Sequence, residues 1–163
     1  KQYQQAGLQG KIPLYSVFTV DSIALPKLQK GKLNGVLGSL NTQFWGPDLD
    51  TPQNKKFVSG FRKKYGRYPS FYAAQSYDMM YLIKSAVEAV KGDMHNQDGL
   101  RAAMEKANFP SVRGKFSYGN NHFPIQNFYL RKVVKDADGN WTTTIVDTVF
   151  KNHQDTYASL CKL

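Results

Sequence analysis

The sequence predicts an α/β fold. Two strand-like runs alternate with helical segments in the first part, capped helices follow, and a hairpin signal comes near the end. The strand–helix–strand–helix order favours a largely parallel sheet. The length of 163 residues suits about one domain, or two small lobes, with a buried core.

The composition is that of a globular chain, with 41% apolar residues. No run approaches the ~20 apolar residues of a membrane span. Lys and Arg number 22 against 12 Asp and Glu, a formal charge of +10 that raises nucleic acid, anionic membranes and acidic ligands as partners. The single cysteine, Cys161, excludes an internal disulfide framework and a Cys-rich zinc site.

The first residues look like the end of a helix. Residues 1–6 are compatible with helix, and Gly7 followed by Leu8 predicts a C-terminal stop. The sequence opens without an initiator Met, a signal peptide or an N-cap residue. We therefore expect a fragment that begins inside a helix; a frayed, processed terminus is the alternative.

The next elements are two strands around a short helix. Residues 11–17 and 35–40 are predicted as strands, and Ser22 is predicted to cap a helix that ends near Lys30. Thr51, followed by Pro52, then begins a longer helix.

Two further helices and a hairpin complete the pattern. The helix that begins at Thr51 ends at Gly66, and Ser70 caps the next helix over 71–91, whose apolar faces predict extensive burial. Asn96 caps another helix. The remaining predicted elements are a short strand at 116–118, strands at 128–135 and 142–150 around an Asp-Gly turn, and a weakly helical tail over 152–163.

Catalytic and metal motifs are scarce. His95, His122 and His153 have no partners at metal-ligand spacing, and the sequence has no P-loop, nucleophile elbow or dinucleotide-binding glycine pattern. We therefore expect a protein that is not an enzyme and uses no cofactor or metal.

The basic residues of one predicted helix suggest a nucleic-acid interface. Its cations are Lys55, Lys56, Arg62, Lys63, Lys64 and Arg67, and its aromatic residues are Phe57, Phe61, Tyr65 and Tyr68. Such interleaving can serve phosphate contacts and base stacking. The helical spacing instead favours a solvated lysine face opposite an aromatic stripe directed at the core, so we expect no nucleic-acid partner.

The loops that follow the two strands are the better site candidates. In open α/β sheets, ligands bind outside the carboxyl ends of strands. Those loops carry Phe18, Thr19 and Asp21, then Phe44 and Trp45, which suit an aromatic-lined small-molecule site. The alternative is that these rings only anchor their loops by packing.

Several segments in order resemble type I periplasmic binding proteins, the branched-chain amino-acid type of ABC-transporter substrate-binding protein. The segments are Lys-Gln-Tyr-Gln-Gln-Ala-Gly-Leu (1–8), Lys-Ile-Pro-Leu-Tyr (11–15), Gly-Val-Leu-Gly-Ser-Leu (35–40), the helix of 54–65 with Gly66 and Pro69, Tyr-Ala-Ala-Gln-Ser-Tyr-Asp (72–78), Val-Arg-Gly-Lys-Phe (112–116) and His-Phe-Pro-Ile-Gln (122–126). The resemblance covers nearly the whole chain but only the C-terminal half of a family member.

The resemblance implies parallel-sheet α/β lobes that clamp a ligand between them. Residues 1–66 would be part of lobe II, 67–124 part of lobe I, and 125–163 crossover strands and a tail that returns to lobe II. The ligand-lining positions would be those in the two loops and at one helix start: Phe18, Thr19, Asp21, Phe44, Trp45, Phe71 and Tyr72. Their aromatic content suits a bulky or aromatic carboxylate at least as readily as leucine.

We therefore expect a periplasmic solute receptor of an ABC uptake system. It would bind a small amino-acid-like or aromatic acid and deliver it to a membrane permease. An isolated fragment is expected to associate with its missing half or with itself, through unpaired sheet edges and apolar faces. The alternatives are a ligand-sensing regulatory domain of the same fold, a basic nucleic-acid-binding module and, last, an enzyme.

Overall fold

The computed structural model describes residues 1–18 and 20–162. The helices are α1 (Gln2–Gln5), α2 (Leu25–Lys30), α3 (Pro52–Tyr65), α4 (Phe71–Ala89) and α5 (Gln97–Lys106). The strands are β1 (Tyr15–Val17), β2 (Leu40–Gln43), β3 (Ser117–Tyr118), β4 (Pro124–Lys135) and β5 (Trp141–His153). Short 3₁₀ helices occupy Asn34–Val36 and Ala158–Leu160. Among the described residues, no helix has the length and apolar character of a membrane span.

The sheet confirms the α/β prediction and adds an antiparallel part. β1 and β2 pair in parallel, from Tyr15 opposite Leu40 to Val17 opposite Thr42. β4 then runs antiparallel to β2, and the β4–β5 hairpin and the short β3 extend the antiparallel pairing. Among the described strands, only β1 and β2 pair in parallel as predicted, because the hairpin strand β4 returns directly beside β2.

The helix ends follow the predicted capping chemistry. The side chains of Thr51, Ser70 and Asn96 each accept a hydrogen bond from an amide in the first turn of their helix. α3 ends at Gly66 in the left-handed conformation, with φ 65°. α1 ends as predicted, because the Leu8 amide donates to the Tyr3 carbonyl oxygen.

Three predictions near the sheet are wrong. The strand predicted at 35–40 is a 3₁₀ turn followed by β2, because the backbone turns at Gly38, whose φ is +81°. Ser22 does not cap α2, which begins at Leu25; its hydroxyl instead lies 2.6 Å from the Pro69 carbonyl oxygen. β1 is also shorter than predicted, since the amides of Lys11 and Ile12 donate to Leu8 in a turn.

The burial predicted for α4 is also wrong within the described residues. Phe71, Ala74 and Ala86 are buried, whereas Met79 and Met80 are exposed. α4 packs against α5, the aromatic residues of α3 and the loop after β2, and much of its remaining surface is exposed. The lysines of α3, by contrast, lie in solvent while Phe57 is buried, as the solvated-face interpretation predicts.

Two apolar clusters stabilise the described part of the chain. One joins the loop after β2 to α3 and α4 and consists of Phe44, Trp45, Phe57, Val58, Phe71, Ala74 and Val112. The other joins α2 to the hairpin and consists of Leu25, Val133 and Trp141.

The tip of the hairpin is bound to α2 and to the segment between α3 and α4. The Tyr68 hydroxyl donates to Asp136 over 3.0 Å, and Gln29 bonds the Gly139 carbonyl and the Trp141 amide. Burial acts to raise the pKa of Asp136, but hydrogen bonds from Asn140, Tyr68 and the Asp138 amide outweigh it and hold that pKa below its usual range.

We expect Gly60→Ala to stabilise the protein and Gly66→Ala to destabilise it. A Cβ at Gly60, inside α3, would meet no atom within 4 Å, so alanine gains about 0.5–1 kcal/mol of helix propensity. The left-handed backbone of Gly66 costs an alanine roughly 1–2 kcal/mol. Urea denaturation of both variants measures the free energy of unfolding. Shifts of the same sign would contradict the roles assigned to these two glycines.

We expect Asp136→Asn to lower stability at neutral pH, and the difference from wild type to shrink in acid. A carboxyl whose pKa is lowered by folding stabilises the native state above its unfolded pKa of about 4. That contribution is lost as the pH falls through the folded value. Denaturation curves at several pH values, with the exposed Asp98→Asn as control, test this. A pH-independent difference would contradict it.

Candidate functional site

Three phenylalanine rings meet where β1, β2 and α4 converge. β1 and β2 are parallel, so the loops after them leave the sheet at the same edge. The ring of Phe18 lies 6.3 Å from that of Phe44 and 5.9 Å from that of Phe71, and Phe44 and Phe71 are 5.9 Å apart, centroid to centroid. Phe18 is 43% exposed while the other two are buried, so one ring of this aromatic cluster faces solvent.

Tyr72 extends the aromatic cluster along α4. Its ring centroid lies 3.9 Å from that of Phe71, and the side chain is exposed. Thr19, which the sequence also places here, lies outside the described residues. The structure therefore brings together four of the seven predicted residues, with Phe44 and Phe71 buried and the rings of Phe18 and Tyr72 exposed.

Asp21 ties the first loop to the start of α4. One carboxylate oxygen accepts from the Phe71 amide over 3.1 Å, and the other accepts from the Ser22 hydroxyl over 2.7 Å. A buried carboxylate at a helix N-terminus is favoured by the helix dipole. Asp21 therefore holds Phe71 close to the loop that carries Phe18.

Trp45 lies in the core beneath the aromatic cluster. It is 1% exposed, its indole nitrogen donates to the Asn54 side chain over 2.8 Å, and its ring meets the edge of Phe57. The structure thus places Trp45 as an anchor of the second loop, which is the packing alternative considered for these rings.

Arg131 connects both loops to the sheet, and sequence reasoning missed it. Its side chain donates to the carbonyl oxygens of Val20 and Trp45 and twice to the Asn41 side chain. Burial lowers the pKa of Arg131 to about 10, so the guanidinium stays charged at neutral pH. A signal was present in the sequence: Arg131 alternates with Tyr129 and Val133, which places a cation on the buried face of a strand.

Arg113 is a second missed arginine, and it lies against Phe44. Its guanidinium carbon is 5.5 Å from the Phe44 ring centroid and 4.0 Å from that of Phe116. It also donates to Asp78 over 2.9 Å and to Gln126 over 3.0 Å. The pairing with Asp78 balances this buried charge, and the guanidinium braces the aromatic cluster by cation–π contact.

The next question is whether side chains in the described part of the chain could bind a metal ion. Within residues 1–18 and 20–162, no group of three or more His, Cys, Asp or Glu side chains is placed to hold a metal ion. The groups around the aromatic cluster are aromatic rings, polar side chains that hold the two loops, and two buried guanidinium groups.

Comparison with known proteins identifies the family. The family model described as a periplasmic binding protein matches residues 1–140. The chain belongs to the periplasmic binding protein family. A curated relative, the Leu/Ile/Val-binding protein homolog 6 of Brucella abortus, is 34% identical over 120 residues, which cover 71% of this chain and 30% of the relative.

Solved members of this class share the fold of the chain. An ABC-transporter solute-binding protein from R. palustris, in complex with benzoate, is 31% identical with a TM-score of 0.81, over 100% of this chain and 42% of that protein. One from Rhodopseudomonas palustris HaA2, in complex with p-hydroxybenzoic acid, is 29% identical with a TM-score of 0.76, over 94% and 41%. This periplasmic binding protein chain therefore spans less than half the length of these relatives.

We expect Arg131→Met to lower the free energy of unfolding of this periplasmic binding protein chain by about 3 kcal/mol. The substitution leaves two carbonyl oxygens and the Asn41 side chain without their buried donor. Lys132→Met, at the exposed neighbouring position, is the control and should change stability by no more than ~0.5 kcal/mol. Equal urea midpoints for both variants would show that Arg131 does not anchor the loops.

Proposed function

We propose that this chain forms part of a solute receptor for an ABC uptake system and that its aromatic cluster binds the ring of an aromatic carboxylate. The observation that carries the proposal is the meeting of Phe18, Phe44 and Phe71 at the carboxyl edge of β1 and β2. Aromatic faces and edges bind aromatic ligands by offset and edge-to-face packing.

The proposed arrangement of lobes would place the ligand between them. We assign residues 1–66 to lobe II, 67–124 to lobe I and 125–163 to the strands that cross between lobes and the tail. Phe18 and Phe44 then come from one lobe and Phe71 from the other, so a ligand at the aromatic cluster would touch both. Domain closure around a ligand is the motion by which such receptors retain it.

The ligand class follows from the site and its relatives together. Two similar solved proteins are complexes with benzoate and p-hydroxybenzoic acid, while the curated relative is named for leucine, isoleucine and valine. The exposed ring of Phe18 above two buried rings favours the aromatic acids. On the basis of family membership, we place the receptor in the periplasm. We propose a membrane permease as its partner.

Calorimetric titration of the intact protein with benzoate, 4-hydroxybenzoate and leucine tests the proposal. We expect the two aromatic acids to bind more tightly than leucine. Binding of leucine with no binding of either aromatic acid would overturn the proposed ligand class.

We expect Phe18→Ala to weaken benzoate binding roughly tenfold or more, because an edge-to-face aromatic contact and apolar burial are lost together. Phe18 is partly exposed, so its removal should leave the fold intact. Tyr15→Ala removes another exposed ring, from the strand that precedes Phe18, and is the matched control. Equal affinity for benzoate in both variants would exclude Phe18 from the site.

A further inference from the structure

The turn between α2 and β2 contains the single Asn-Gly pair of the sequence, Asn34-Gly35. These two residues begin the 3₁₀ helix Asn34–Val36, in which Asn34 is exposed and Gly35 is buried. A glycine that follows asparagine has no Cβ to shield its backbone nitrogen from the asparagine side chain. Asn-Gly is therefore the pair in which that nitrogen attacks the side-chain amide most readily.

The packing of α1 requires the glycine of this pair. A Cβ built on Gly35 would lie 2.7 Å from the Cβ of Gln4, which is closer than real Cβ atoms approach one another. Gln4 belongs to α1, so the close approach of α1 to the turn excludes a larger residue at position 35. The reactive pair is thus tied to the docking of this helix.

The segment that carries α1 also holds both ends of the peptide unit that joins Asn34 to Gly35. The Gly35 amide donates to Oε1 of Gln4 over 3.1 Å. The Asn34 carbonyl oxygen accepts from Nε2 of Gln9 over 3.0 Å and from the Leu37 amide over 2.9 Å. Because its N–H and its C=O are both bound, this peptide unit cannot rotate to bring the Gly35 nitrogen against the Asn34 side chain.

We propose that Asn34 is a deamidation site controlled by α1: it reacts when α1 leaves the turn and is protected while α1 is docked. In the reaction, the Gly35 nitrogen attacks Cγ of Asn34, and the new N–C bond closes a succinimide ring. The bond from Cγ to the side-chain nitrogen breaks, and that nitrogen leaves as ammonia with the proton that Gly35 gives up. Water then hydrolyses the ring at either carbonyl carbon, which yields aspartate or isoaspartate.

Conversion to isoaspartate would weaken the contact that controls it. In isoaspartate the chain runs through the former side chain, and the original Asn34 carbonyl becomes a free carboxylate. The acceptor that Gln9 and the Leu37 amide share is then no longer part of the backbone turn. The modified residue therefore records an earlier release of α1. Neither Asn34 nor α1 belongs to the aromatic cluster, so this inference is independent of the proposed function.

Ageing the intact protein at mildly alkaline pH, followed by digestion and tandem mass spectrometry, measures the converted fraction of Asn34. Gln4→Met removes the acceptor of the Gly35 amide and keeps the side-chain volume. We expect Asn34 to convert about fivefold faster in this variant, because one hydrogen bond no longer opposes the local opening. Gln5→Met, an exposed change on the same helix, is the control and should keep the wild-type rate. Equal rates in wild type and Gln4→Met would overturn control by α1.

Asn41 separates local release of α1 from global unfolding in the same samples. It is 1% exposed and lies in β2, so it stays unconverted while the fold is intact. Faster conversion of Asn34 with Asn41 unchanged supports the proposal. Equally raised conversion of both residues would show global unfolding and would overturn control by α1.

Two further measurements test the acceptor and the choice of site. Gln4→Glu keeps an oxygen acceptor for the Gly35 amide and should convert Asn34 at nearly the wild-type rate; conversion as fast as in Gln4→Met would overturn the role of that acceptor. In guanidinium chloride, the unfolded wild type should convert Asn34 faster than Asn41, whose following residue, Thr42, is β-branched. Equal rates for the two asparagines in denaturant, or equal rates for Asn34 in the folded and unfolded protein, would overturn the proposal.

Discussion

The buried guanidinium of Arg131 is the interaction on which the site depends. It reaches from β4 to the carbonyl oxygens of Val20 and Trp45, one in each of the two loops that follow the parallel strands. Burial of a cation is costly, but several simultaneous hydrogen bonds in a region of low dielectric offset much of that cost. The sheet thereby becomes a rigid support for Phe18 and Phe44.

The second support of the aromatic cluster comes from the other side. Arg113 is bound to Asp78 of α4 and lies against the ring of Phe44, so α4 and the loop after β2 are joined through one guanidinium. The two arginines differ in their charge balance. Arg113 forms a salt bridge with Asp78, whereas the hydrogen bonds of Arg131 go to neutral oxygens and its charge is balanced through space by Asp21 and Asp48.

Features set by short-range chemistry were predictable from the sequence. The caps at Thr51, Ser70 and Asn96 and the Asp-Gly hairpin depend on residues within a few positions of one another. β2 was misplaced because its residues, Leu-Asn-Thr-Gln, lack an apolar pattern, and their partners lie on strands elsewhere in the chain. The arginine contacts were missed because Arg131 and Asn41 are 90 residues apart. Phe18, Phe44 and Phe71 were predicted together, but an aromatic residue in a loop does not reveal whether it faces ligand or core, and Trp45 lies in the core.

The hydrogen bond between Asp21 and the Phe71 amide has a mechanical consequence. On the proposed division at residue 66, the carboxylate and the amide belong to different lobes, and the bond is buried. Any opening that pulls the lobes apart at this point must break it, which leaves the Phe71 amide without its carboxylate acceptor while Ser70 still caps the helix through the Ala73 amide. On this division, the bond would favour the closed arrangement of the lobes, because each opening would have to break a buried hydrogen bond between them.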